Sequence, residues 1–200
     1  MIKNISKIVI ASMLVASALN AAPESNNKYK FNINSLVGFE GSYSNFDYER
    51  VETGQPTERE KVSLNGGGLK IGAESNNYRF FLAARMYDAG EFDYARTYGA
   101  ELQYLFNFAS FANMYLGVNF GKADMRFVDT KNGHNNTVKI DDTYVGGDVG
   151  FNIHLGKHVD WEIGARAMSL NTSKVDSGAT YKFDNIITGY TSIIFKYQMD

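Results

Sequence analysis

The chain has 200 residues, enough for one domain, and contains no cysteine. Disulfides, thiol catalysis, lipid attachment through cysteine and cysteine-based zinc sites are therefore excluded. A formal charge of -2 leaves no basic excess for nucleic acid, and 13 Tyr, 14 Phe and 19 Gly against 2 Pro favour a β-rich protein.

The amino terminus reads as an address. Lys3 and Lys7 precede an apolar stretch from Ile8 to Leu19, and the small residues Ala21 and Ala22 follow. Basic, then apolar, then small is the layout of a secretory signal peptide. The apolar stretch is too short for a membrane helix, which needs about 20 such residues. We expect residues 1–21 to be the signal and residues 22–200 the mature domain.

From Phe31 onward the sequence alternates with the two-residue period of a β-strand. Phe31, Ile33, Val37, Phe39 and Tyr43 share one face, and Asn32, Asn34, Gly38, Glu40 and Ser42 lie on the other. Leu69, Ile71 and Ala73 oppose Lys70, Gly72 and Glu74. Tyr78, Phe80, Leu82, Ala84 and Met86 oppose Arg79, Phe81 and Arg85. Tyr98, Leu102, Tyr104 and Phe106 oppose Gly99, Glu101 and Gln103. Four more runs follow, beginning near Met114, Tyr144, Val159 and Ile186. Eight strands result, each near the 9–11 residues that cross a bilayer when tilted.

The connections alternate in length. Ser75-Asn76-Asn77, Asn107 to Asn113 and Gly156-Lys157-His158 are short. The stretches near 44–61, 88–96, 123–142 and 170–184 read as longer loops. Short turns at one end and long loops at the other mark an outer-membrane barrel, with both termini on the short-turn, periplasmic side. Gly66-Gly67-Gly68 lacks the Lys-Ser/Thr that would complete a phosphate loop and reads as a glycine-rich strand start.

Two features decide which face meets lipid. The polar faces carry Lys70, Arg79, Arg85, Arg166 and Lys196 against Glu40, Glu74, Glu101, Asp148 and Glu162. In an eight-stranded barrel the lumen is just wide enough for side chains, so these ten charges are expected to pair inside it. Glycines on the same faces, among them Gly117, Gly150 and Gly164, would make room for long side chains. The second feature is aromatic clustering. Phe31, Tyr78, Tyr104, Phe106, Trp161, Phe195 and Tyr197 collect at the periplasmic strand ends as a headgroup-level girdle.

With these patterns the chain resembles the small eight-stranded outer-membrane β-barrel family, of the OmpA transmembrane domain and OmpX type, over about residues 28–197. The run Thr188-Gly189-Tyr190 to Ile193-Ile194-Phe195-Lys196-Tyr197 looks like the terminal strand that barrel-insertion machinery reads in that family, with Gln198, Met199 and Asp200 following it. The resemblance implies an all-β, antiparallel, up-and-down barrel in the outer membrane of a Gram-negative bacterium. It implies lipid, lipopolysaccharide and the insertion machinery as partners. No peptidoglycan-binding domain is expected, because the chain ends at Asp200.

The expected role is structural: a monomer serving envelope integrity and presenting loops for adhesion or a surface ligand. A small channel and a lipid-modifying enzyme are the competing readings. His134, His154 and His158 make no metal spacing, and no His-x-Ser motif marks a hydrolase. Neither cofactor, metal nor catalytic residue is expected.

Overall fold

The computed structural model describes residues 33–52, 54–88, 92–129, 136–176 and 179–198. The expected signal peptide and Phe31 lie outside the described residues. Eight antiparallel strands follow in chain order: β1 (Ile33–Glu52), β2 (Glu58–Ser75), β3 (Tyr78–Asp88), β4 (Phe92–Ala109), β5 (Ala112–Asp129), β6 (Asn136–His154), β7 (Val159–Asp176) and β8 (Ala179–Gln198). Each pairs with its neighbour, and β8 closes onto β1. Closure leaves no unpaired strand edge at the level of lipid.

The face assignment follows from which side chains are exposed. Phe39, Leu69, Leu102, Leu116, Val118, Phe120, Phe151 and Ile163 all project outward and are roughly half exposed. Arg79, Lys70, Glu162 and Arg166, on the alternate positions, are buried in the lumen. The turn between β2 and β3 is tight, with Asn76 in the left-handed region at φ 51°. Asparagine tolerates that conformation better than most residues.

Seven of the eight strands run 18 to 20 residues; only β3 has 11. A strand rising about 3.4 Å per residue and tilted about 40° crosses a ~25 Å apolar band in about ten residues. The strands therefore continue well past the membrane, and the surplus lies at the end away from the short turns. This corrects the reading of long loops. Residues 45–52 and 58–64 belong to β1 and β2, residues 92–96 to β4, and residues 123–129 and 136–142 to β5 and β6. Most of residues 170–184 belongs to β7 and β8. Gly66–Gly68 falls inside β2 rather than at its start.

Above the band the alternation keeps its phase but exchanges its chemistry. In β1, Val37, Phe39 and Tyr43 face outward with Glu40 and Ser44 inside; then Asn45 and Asp47 face outward with Phe46 and Tyr48 inside. In β5, Leu116, Val118 and Phe120 give way on the outside to Lys122 and Arg126, and Ala123, Met125 and Phe127 are buried. Polar-in becomes apolar-in, the pattern of a β-protein in water.

The ring also opens at this level. β2 and β3 pair only as far as Asn65 with Asp88, and β3 and β4 only to Tyr87 with Ala95. β6 and β7 pair only to Val145 with Ser169. Beyond these points β7, β8, β1 and β2 form one sheet, and β4, β5 and β6 form a second facing it. Aromatic rings join the two. Phe46 meets Phe92 at 5.8 Å, Tyr48 meets Phe127 at 5.7 Å, and Phe127 meets Tyr181 at 5.9 Å and Phe183 at 6.0 Å. Leu64, Met125, Val138, Ile140, Met168 and Ile186 complete this core. The extension away from the short turns is a small sandwich standing on a membrane barrel.

Candidate functional site: the barrel interior

The membrane-level lumen is filled by charged side chains arranged in tiers. At the short-turn mouth, Arg79 donates to Glu74 through Nε at 3.0 Å and Nη2 at 2.7 Å, and its Nη2 lies 3.4 Å from Asp160. Lys196 pairs with Asp160 at 3.0 Å and sits 3.9 Å from Glu74. His154 Nδ1 is 2.7 Å from the second oxygen of Asp160. One step inward, Lys70 pairs with Glu162, which also accepts from Arg79 at 3.3 Å and from Ser192 at 3.3 Å.

The central tier joins two guanidinium groups to two carboxylates. Arg85 donates to Glu40 at 2.7 and 3.1 Å and contacts Glu101. Arg166 donates to the same Glu40 at 3.0 and 3.2 Å and reaches Glu101 at 2.9 Å. Both arginines are at most 2 % exposed. The Arg166 guanidinium also packs on the Tyr190 ring at 4.3 Å, and the Lys70 ammonium lies 4.9 Å from the Phe81 ring. Fork-shaped pairing of this kind supplies both charge and fixed geometry.

Glycines create the space. A Cβ at Gly164 or Gly150 would overlap the Tyr115 hydroxyl, which is bonded to the Tyr190 hydroxyl at 2.7 Å across the lumen. A Cβ at Gly68 would press on the Arg85 stem at 2.8 Å. Gly66 and Gly68 in β2 are therefore clearance for Tyr87 and Arg85, not a strand boundary.

All ten charged residues expected in the interior face it, and nine enter ion pairs. Asp148 differs. Among the described residues no cation lies within ion-pair distance of it; it accepts instead from Gln103 Nε2 at 2.8 Å and Asn119 Nδ2 at 3.5 Å. The balanced pairing of five with five is corrected on this point. Arg166 stands opposite Asp148 in register but is committed to Glu40 and Glu101. Asp160, an eleventh charge that the expected set omits, takes its place in the network. Its position on the polar face of β7, in step with Glu162, was the available signal.

The girdle residues Tyr78, Tyr104, Phe106, Trp161 and Tyr197 project outward near the short turns, and Phe195 is half-buried against Phe39 at 6.4 Å. Tyr78 packs on Tyr104 at 5.2 Å, and Tyr104 on Phe106 at 4.8 Å. Trp161 Nε1 donates to Thr191 at 2.8 Å. Phe108, at the end of β4, and Phe111, in the turn joining β4 to β5, extend the belt and were not anticipated. Among the described residues no three His, Asp or Glu side chains gather as a metal site. On the outer wall of the extension, Arg96 pairs with Asp124 and Lys122 with Asp141, both at 2.5 Å. The hydrogen bond from Lys122 holds the Asp141 carboxyl below its ordinary range.

Residues 8–191 match the family described as outer membrane protein beta-barrel domain. The chain belongs to that family. It is an outer-membrane β-barrel protein, and the outer membrane is its location. No curated protein matches it in sequence. Among solved structures, Neisserial surface protein A is similar over 82 % of this chain and 97 % of its own, at 16 % identity and a TM-score of 0.57. OprG of Pseudomonas aeruginosa is similar over 84 % of this chain and 98 % of its own, at 11 % identity and a TM-score of 0.56. The N-terminal β-barrel domain of P. aeruginosa OprF covers 78 % of this chain and 99 % of its own, at 9 % identity and a TM-score of 0.52. At these identities the likeness establishes the fold.

Proposed function

We propose that this protein is a closed envelope barrel, without enzymatic activity, whose work is structural and whose contacts with the outside are made by its extracellular sandwich. The observation that carries the reading is the double seal. At membrane level Glu40, Arg85, Glu101 and Arg166 cross-link β1, β3, β4 and β7 through the axis. Above them the rings of Phe46, Tyr48, Phe127, Tyr181 and Phe183 fill the space between the two sheets. An ion would have to separate bonded guanidinium–carboxylate pairs and then cross an apolar layer. Both steps oppose conduction, so the channel reading is the weaker one.

The outward side chains of the sandwich are mostly polar, including Asn45, Asp47, Arg59, Lys122, Arg126 and Lys139, with Val128 and Val175 as exposed apolar exceptions, and a surface ligand or adhesion partner would meet this wall and the strand tips. Lipid and lipopolysaccharide would contact the apolar band, and the terminal strand would be read by the insertion machinery. Both termini would lie in the periplasm, beside the short turns. The test is conductance of the refolded protein in a planar lipid bilayer. A silent membrane containing heat-modifiable, correctly folded protein is the expected result. Steady discrete openings would overturn the sealed reading and make the interior pairs a selectivity filter.

A further inference from the structure

The lipid-facing wall is not uniformly tall. On β2 the outward side chains are Leu69, Ile71, Ala73 and Ser75, falling from large to small toward the short turn. Ala73 stands between Ser35 of β1 and Phe80 of β3 in register, and Phe80 stands opposite Leu102 of β4. Small side chains beside tall ones leave a groove of about 270 Å³, lined chiefly by Ile33, Ala73, Ser75, Tyr78, Phe80 and Leu102. Its lining is almost wholly apolar.

The groove has a direction. At one end Ser75 stands opposite Tyr78, which packs on Tyr104 at 5.2 Å within the aromatic girdle. Phe80 and Leu102 lie one outward position nearer the middle of the bilayer. The next row, Val37, Ile71 and Leu82, carries larger side chains and bounds the groove there. Aromatic girdles sit at headgroup level, so the groove opens among headgroups and runs into hydrocarbon. An unfilled groove at that depth forfeits dispersion contacts along its walls, and the bilayer supplies acyl chains to fill it. Ser75 adds a polar signal at the headgroup end, because its hydroxyl has no hydrogen-bond partner in the protein. A hydroxyl held out of water without a partner is costly, and glycerol ester oxygens lie at this level to accept from it.

We propose that this groove holds one glycerophospholipid of the periplasmic leaflet. Its acyl chain lies against Ala73 between Ile33 and Phe80. An ester oxygen accepts from the Ser75 hydroxyl, turned toward it about the Cα–Cβ bond. The choice of leaflet rests on the reading that the short turns face the periplasm; lipopolysaccharide belongs to the opposite leaflet. Lipids on the rest of the wall exchange freely, and this one is retained.

The test weighs the intact protein. Full-length barrels are extracted from outer membranes in mild detergent and followed by native mass spectrometry as the detergent is raised. One glycerophospholipid per barrel should survive after the surrounding lipids are stripped. Ala73→Phe fills the groove and should lower the retained fraction at least about tenfold. Ser75→Ala should lower it by about two- to fivefold, as the loss of one hydrogen bond implies. Ala165→Phe adds the same bulk to the exposed wall of β7 and should leave retention unchanged. Heat-modifiable migration verifies that each variant is folded. Nuclear Overhauser contacts between the Ala73 methyl and acyl protons in the unmodified protein provide a readout that needs no variant. Loss of all lipid together with the surrounding lipids would overturn the proposal. So would equal retention in Ala73→Phe, a retained glycolipid in place of a phospholipid, or a lipid-free dimer, which would make the occupant a second copy. The orientation is checked separately. A lone cysteine from Ser110→Cys, in the turn between β4 and β5, should be labelled only after the outer membrane is opened. Labelling on intact cells would refute the choice of leaflet even where a lipid is retained.

Discussion

Replacing Arg85 by methionine tests the interior most directly. The guanidinium is 2 % exposed, makes two hydrogen bonds to Glu40 at 2.7 and 3.1 Å, and contacts Glu101. Methionine approximates the length of the stem and removes the charge. Glu40 and Glu101 would then share Arg166 alone, with the Lys70 ammonium 3.9 Å from Glu40 as the nearest supplement. Breaking a buried pair by removing one partner costs about 3–5 kcal/mol, mostly from the stranded charge. We expect a loss in that range, at the lower end because Arg166 and Lys70 remain. The assay is reversible urea unfolding in lipid vesicles, read by Trp161 fluorescence and by heat-modifiable gel migration. A double variant with Glu101→Gln restores the local charge balance and should recover part of the loss, giving a coupling of about 1 kcal/mol or more. If Arg85→Met lies within about 0.5 kcal/mol of the unmodified protein, the lumen is wet and the pairs are worth no more than surface ones.

Two further outcomes follow from packing. Gly164→Ala should cost about 1–3 kcal/mol because the new methyl overlaps the Tyr115 hydroxyl, and Tyr115→Phe should relieve part of that cost; the urea midpoints of the two single variants and the double variant check this. Phe127→Ala removes the ring that touches Tyr48, Phe92, Tyr181 and Phe183, a change worth about 3–5 kcal/mol in a packed core. Proteinase added outside vesicles should then cleave the sandwich several-fold faster, with the membrane-level strands still protected, and unchanged cleavage would count against a packed extension.

The membrane-level barrel is legible in the sequence because one rule, apolar out and polar in, holds from Val37 to Tyr43 and again in each later strand. The extension was hidden by its change of rule. Between Ser44 and Lys61 the outward residues Asn45, Asp47 and Glu49 are those expected of a loop, and Phe46 and Tyr48 interrupt them at the spacing of a strand seen from its other face. Counting apolar residues by phase, instead of by which phase is polar, would have extended β1 to Glu52. The interior charges were readable as a set, since alternation alone sends them inward. Their partners were not. Arg166 stands opposite Asp148 in register yet serves Glu40 on β1, 126 residues away, because the long guanidinium reaches across the narrow axis.

The exchange of chemistry along the strands also explains why β3 is short. Below the boundary an unpaired edge would face lipid, where missing backbone hydrogen bonds are not replaced by water, so all eight strands are needed to close the ring. Above it, water can satisfy an edge, and the apolar interior is served by two sheets pressed together rather than by a closed tube. β3 ends at Asp88 where that requirement lapses, opposite Asn65, and the walls on either side draw in until Phe46 reaches Phe92. The charged outward residues Arg59 and Lys61 on β2, and Lys139 and Asp141 on β6, flank the two openings and discourage strand addition from another chain. The boundary between the two regimes is therefore a physical coordinate of the membrane surface. It runs at Tyr43 in β1, Met86 in β3, Tyr98 in β4, Phe120 in β5 and Val145 in β6, the last outward apolar or aromatic residues before the outside turns polar.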